Sequence, residues 1–399
     1  MAAGVYGPGA QRCMEMLIKF GEAFGAEKLV PLASAHTMPE EPPELLHEMT
    51  EGLDKAGTFT TLHSLMSGFS PKSWQDMGLP EQFVETEMPL FKAREEVYRK
   101  IGFFQTYTCL PMLCGNVPGQ GAFVSWIGSG AQLMVNSLLG ARCNRDGTLL
   151  NLAASVTGSA PLRGLFLDEN RYGEVLVRFD GLTPEEFGQV ELGAVGYYVG
   201  KIAGSRNVVI DGLARGMDLD LIKYLMAPLS VSGSVSICHL VGITPEAKTL
   251  EMAMKRKDPA EVITVGPAQI QESLSQYEQD LADVDMALFG CPHCTVTEVQ
   301  RLAELLQDRR LKGDKRLWIG MPHQHYALAD RMGYAGTIEA AGGVFASACM
   351  ATIPQAPIPE GVRKIATTSF KAAHYITRLT QNRVTVCIAP MEKCLDAVT

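Results

Sequence analysis

Three cysteines, Cys109, Cys291 and Cys349, each follow an apolar, β-like stretch and stand beside small or turn-forming residues, so each thiol can reach a loop above a sheet. Three thiolates converging from distant positions can hold an iron–sulfur cluster while leaving one iron open to a substrate. A plainer reading competes, because cysteine is commonly buried as a small hydrophobe. Cys13, Cys114, Cys143, Cys238, Cys387 and Cys394 are read as packing in that sense. Zinc is a third possibility: Cys291, His293 and Cys294, with His323 and His325 downstream, offer thiolates and imidazoles to a tetrahedral ion, although their spacing matches no common finger.

Other polar side chains fall near these thiols in type if not in sequence. His36 lies beside Ser34 and Thr37, and His374 follows Thr367, Thr368 and Ser369. An imidazole among hydroxyls can bind a carboxylate or move a proton, and it can equally cap a strand end or a helix start. Arg142 and Arg145 come at the C-terminal end of an apolar helix, where they complement the helix dipole or clamp a carboxylate with two donors. Lys371, near a helix N-terminus, is a solvated lysine unless the site lies close enough to make it an anion contact.

Alternating helix and strand signals supply the scaffold. Met14, Leu17, Ile18, Phe20 and Phe24 recur at the helical period until Gly25, and a strand over Lys28–Ala33 then places Ser34, Ala35 and His36 just past its end. Phe104–Cys109 reads as β-rich and runs into the Pro- and Gly-rich loop Pro111–Gly121; Trp126–Leu139 reads as one apolar helix. Thr183, Pro184, Glu185 and Glu186 open a helix, and strands at Ser234–Leu240, Met286–Phe289 and Leu317–Gly320 alternate with helices such as Val296–Leu306. This alternation predicts an α/β chain of parallel or mixed sheets covered by helices. A change of texture near residue 185 suggests units over 1–185, 186–265 and 266–399, the C-terminal segment packing back on the first.

Composition narrows the function classes. With 399 residues, 46% hydrophobic and 20% charged, the chain can bury more than one core. A net charge of −9 with scattered Lys and Arg predicts no nucleic-acid or membrane partner. Without a basic, apolar leader or an apolar run of about 18 residues, a cytoplasmic location with reduced cysteines is expected.

Several motifs carry a family likeness. Thr108-Cys109-Leu110-Pro111, Gly115-Asn116-Val117-Pro118, Trp126 and the run from Asn136 through Leu139-Gly140-Ala141-Arg142-Cys143-Asn144 to Arg145 resemble the central signature of aconitase X large subunits. Ser34-Ala35-His36, His239 to Ala247, Gly290-Cys291-Pro292-His293 and Thr368 to Tyr375 are similar to the same family, in one order along nearly the whole chain. The resemblance implies an aconitase-like set of α/β domains and a hydro-lyase that dehydrates a small hydroxy-carboxylate. It places the cluster, a four-iron cubane or a two-iron form, on Cys109, Cys291 and Cys349, with the open iron as Lewis acid. It also implies a small, swivelling-domain partner subunit that closes the site and carries a catalytic serine as base. His36, Ser34 and Lys371 are then candidate catalytic residues, and Asn116, Ser129, Asn136, Arg142, Arg145, Ser369 and His374 candidate substrate contacts. Two stretches depart from the family: Gly128-Ser129-Gly130-Ala131 stands where a Glu-Ser-Ser-Ala-like run is usual, and Thr61-Leu62-His63 where Thr-Leu-Asn is. Substrate choice stays open between cis-3-hydroxy-L-proline and a phosphorylated mevalonate, with the missing P-loop pattern pointing to the former. A zinc- or thiol-dependent hydrolase and a non-catalytic scaffold subunit are the competing functions.

Overall fold

Short apolar strands, each followed by a helix-starting residue, make parallel sheets, and the chain builds three of them. The computed structural model describes residues 1, 3–64, 75–183, 187–214, 216–255, 258–350 and 358–399. After the helix Pro8–Ala23 and the short strand β1 (Leu29–Pro31), strands β2 (Ser34–Thr37), β3 (Thr60–Leu62), β4 (Phe123–Trp126) and β5 (Arg142–Cys143) form a parallel sheet in the order β3-β2-β4-β5. Strand β6 (Ser159–Pro161) returns to pair antiparallel with β1. The second sheet, ordered β10-β7-β8-β9, contains β7 (Val175–Phe179), β8 (Val208–Ile210), β9 (Cys238–Leu240) and β10 (Glu261–Val265). In the third, β11 (Met286–Phe289), β12 (Arg316–Gly320), β13 (Val344–Ala346), β14 (Lys364–Thr367) and β15 (Thr385–Ile388) run in the order β13-β12-β11-β14-β15. Both of these sheets are parallel throughout. Strand β7 thus joins the second sheet ahead of residue 185, and the expected helix start at Thr183–Glu186 falls largely outside the described residues.

Three local expectations are corrected. The strand placed at Lys28–Ala33 covers only Leu29–Pro31, and Ser34–Thr37, expected just past its end, is a strand of its own with all four residues buried. Both faces of β2 are covered, so its polar side chains give no alternation to read. Phe104–Cys109 contributes only an isolated bridge between Phe104 and Thr61, since Tyr107 takes φ 42° and ends any extended run. The segment Trp126–Leu139 splits at Gly128, φ 89°, into the end of β4 and the helix Ser129–Ser137.

The units are fastened by a buried ion pair. Lys223, in the helix Leu219–Ser232, pairs with Glu298 in the helix Val296–Leu306, with side chains 0% and 4% exposed. The Lys223 ammonium also donates to the His293 carbonyl at 2.9 Å, and Glu298 accepts the Thr295 N–H at 2.9 Å to complete a capping box. This anchors the loop that follows β11. Removing one partner leaves the other charge buried and alone, so Glu298→Ala is expected to cost about 3–5 kcal/mol of stability in urea unfolding; a loss under about 1 kcal/mol would show that the pair does not hold these units together.

Candidate active site

Open parallel sheets bind ligands beyond the C-terminal strand ends where strand order reverses. In the first sheet that point lies between β2 and β4, and in the third between β11 and β14. Gly128 and Ser129 follow β4, Cys291 follows β11, and Ser369 and Lys371 follow β14. Lys371 Nζ stands 3.4 Å from Ser129 Oγ, so the two reversal points face each other.

The three contextual cysteines meet in this crevice. Cys109 Sγ accepts the His293 backbone N–H at 3.2 Å, and the thiols of Cys109, Cys291 and Cys349 act electrostatically on one another and on Lys371. Burial pushes the Cys109 and Cys291 thiols up, while the Lys371 ammonium pulls both down. Burial works against the Lys371 charge in turn, but Cys291, Tyr375, Cys109 and Cys349 together lift its pKa above the ordinary value. Three sulfur donors, a half-buried cation beside them and an N–H aimed at one sulfur suit the chemistry of an iron–sulfur cluster.

The zinc reading does not survive the packing. Cys291 lies on the β11 face shared with Met286, Leu288 and Trp318, whereas Cys294 is buried on the opposite side with Ala287, Phe289 and Leu302. His293 and His325 spend Nε2 on the carbonyls of Ala348 and Leu113. Among the described residues no three His, Cys, Asp or Glu side chains are grouped to hold a single metal ion. Of the cysteines read as packing, Cys13, Cys143, Cys238, Cys387 and Cys394 are buried, but Cys114 is only half-buried, its thiol directed at Gln324.

The remaining candidates divide. His36 is fully buried, with Nδ1 2.9 Å from the Thr61 hydroxyl and Nε2 lacking a partner among the described residues; burial first, and His63 second, drive its pKa far down. Asn116, also fully buried, donates to Thr61 Oγ1 and to the Ala35 carbonyl, each at 2.9 Å. Ser34 accepts the Trp126 indole N–H at 3.1 Å and supports β2 from within. Ser369 caps the helix Phe370–Leu379 through the Ala372 N–H and donates to the Cys291 carbonyl, holding that loop in place. Arg145 gives both terminal nitrogens to the Ser230 carbonyl at 3.3 Å and lies beside Tyr375, one helical turn beyond Lys371.

Three expected substrate contacts are committed elsewhere. Asn136 donates to the carbonyls of Cys143 and Ser236 and accepts from Cys143 N–H and Arg171, which leaves it a structural amide. Arg142 is tied to the Phe166 carbonyl and the exposed Asp168. His374 faces Tyr197 at 3.3 Å, its pKa pushed down to about 4 by burial and then by Arg378 and Lys371.

His63 is a pocket residue that pattern did not single out. Its Nδ1 donates to the Ser64 carbonyl at 2.7 Å, so Nε2 is the bare acceptor, and burial, aided by Lys371, pushes its pKa down to about 4. A Cβ on residue 128 would stand 2.6 Å from the His63 Cδ2 and Nε2 atoms. The imidazole therefore occupies the space that a side chain at 128 would need.

Comparison with known proteins decides the family. Models of the aconitase X first, second and third domains match residues 1–169, 173–275 and 284–399. The chain belongs to the aconitase X family. It is 32% identical to the phosphomevalonate dehydratase large subunit of Methanocaldococcus jannaschii, over 96% of this chain and 94% of that one. It is 31% identical to the cis-3-hydroxy-L-proline dehydratase of Hypocrea jecorina, over 99% of this chain but 66% of that protein. The crystal structure of Thermococcus kodakaraensis aconitase X in its holo-form superposes with a TM-score of 0.85 at 32% identity, covering 100% of this chain and 97% of that one. Its fold class is thereby confirmed as α/β with helix-covered parallel sheets, and the chain is an enzyme of the hydro-lyase class.

The His63–Gly128 contact makes a measurable demand. Gly128→Ala forces the imidazole aside and is expected to destabilise the protein by about 1–3 kcal/mol in urea unfolding. In the background of His63→Ala the same change should cost clearly less, the strain of a positive φ alone remaining; equal costs in both backgrounds would mean that the two positions are independent.

Proposed function

We propose that this aconitase X chain is the large subunit of an iron–sulfur-dependent dehydratase, with the cluster on Cys109, Cys291 and Cys349. The observation that carries the reading is the meeting of these thiols with the half-buried Lys371 at two opposed strand-order reversals. The thiols influence one another without closing to the arrangement that one ion requires, and a multi-iron cluster spreads its thiolates farther apart than a single ion does. When bound, such a cluster supplies a Lewis-acid iron for a substrate hydroxyl and carboxylate.

The chain's own residues bind, orient and balance charge. Lys371, with the first amides of the helix Ser129–Ser137, receives the substrate carboxylate and offsets the thiolates. His36 and Asn116, joined through Thr61, fix the strand end beneath them, and neutral His63 offers an acceptor to a substrate hydroxyl. No carboxylate is among the groups acting most strongly on Lys371 or the cysteines. Among the described residues no such carboxylate would pair a substrate amine, which supports a hydroxy acid of net negative charge, such as the phosphomevalonate of several named relatives, over cis-3-hydroxy-L-proline. The proton-abstracting serine is assigned to a small subunit, in keeping with relatives named as large subunits.

The test is iron and acid-labile sulfide in protein purified anaerobically with its small subunit, followed by dehydration assays on phosphomevalonate and cis-3-hydroxy-L-proline. Wild type should carry both elements; Cys109→Ser, Cys291→Ser and Cys349→Ser should each lose them and the activity, while Cys294→Ser retains the cluster. A folded complex with neither iron nor sulfide refutes the assignment.

A further inference from the structure

One residue touches all three cysteine loops. His293 follows Cys291 by two positions, its backbone N–H donates to Cys109 Sγ at 3.2 Å, and its ring Nε2 lies 2.9 Å from the carbonyl of Ala348, the residue before Cys349. A carbonyl only accepts, so Nε2 carries the proton and Nδ1 is a bare lone pair, buried with no partner among the described residues. The ring is fully buried, and its own carbonyl is gripped from behind by Lys223.

Sheet order explains why such a bridge is needed. Cys291 follows β11 and Cys349 follows the edge strand β13, with β12 between them, so the two loops are not neighbours in the hydrogen-bonded ladder. The imidazole spans that gap. We propose that His293 is the positioning residue that sets the separation of the three thiols, its ring holding the Cys349 loop to the Cys291 loop while its amide holds Cys109. The cluster consequence rests on the ligand assignment above; the thiol geometry does not.

Truncating the ring should release one thiol of the three. His293→Ala removes the link to Ala348 but keeps the backbone N–H to Cys109, whereas His293→Gln supplies an amide N–H in place of Nε2. Cluster-free protein, complexed with its small subunit, is treated with dibromobimane, which fluoresces once both its arms have bonded to thiols, and the linked cysteines are located by peptide mapping. In His293→Ala the Cys109–Cys291 link should persist, while links to Cys349 fall by about tenfold and the iron-loaded protein loses iron to a chelator about 10–100 times more readily. His293→Gln should restore both. Unchanged links to Cys349, or an equal fall in all links from general loosening, would overturn the inference. If wild type holds no iron or sulfide yet shows this link pattern, the positioning role stands and the cluster reading fails; if wild type is loaded and the pattern is flat, the positioning role fails alone.

Discussion

A half-buried ammonium group beside three thiols is favoured by negative charge next to it, and the site is organised around that interaction. Lys371 is placed there by the helix that follows β14, started by Ser369, whose hydroxyl also holds the Cys291 loop. No ion pair with a carboxylate relieves it among the described residues, so thiolates and an anionic substrate are the counter-charges on the proposed reading. On that reading one cation serves both the ligands and the bound acid.

Parallel topology makes the meeting possible. Strand ends of two sheets present Ser129 and Lys371 from opposite sides, and the turn after β11 packs Cys291 with Met286 and Leu288 while Cys294 joins the core on the other face. The same core holds the Lys223–Glu298 pair, whose cost of burial is offset by close contact and by hydrogen bonds to His293 and Thr295. Rigidity behind the cysteine loop and openness in front of it come from one short segment.

Substrate choice turns on shape as well as charge. In this chain the His63 ring fills the space beside Gly128 that a side chain there would need.

How much of this was legible before the coordinates depended on how local each signal was. Cys291, Lys371 and Ser369 could be read from sequence because each sits at the junction of an apolar strand and a capped helix, a pattern fixed by neighbours in the chain. The α/β class followed from the same alternation, and the family from motifs spread along nearly the whole length. The partners of Asn136 and Arg142 were not legible, since a polar side chain in a motif looks the same whichever backbone carbonyls from distant segments it bonds. Ser34–Thr37 hid as a strand because burial on both faces erases alternation. Only the tertiary structure decided that Cys109 lies against His293, that His63 fills the space beside Gly128, and that Lys371 meets Ser129. The physical reason is the same in each case: these are contacts between strand ends of different sheets, and neither propensity nor periodicity, which act over a few residues, records which ends will face each other.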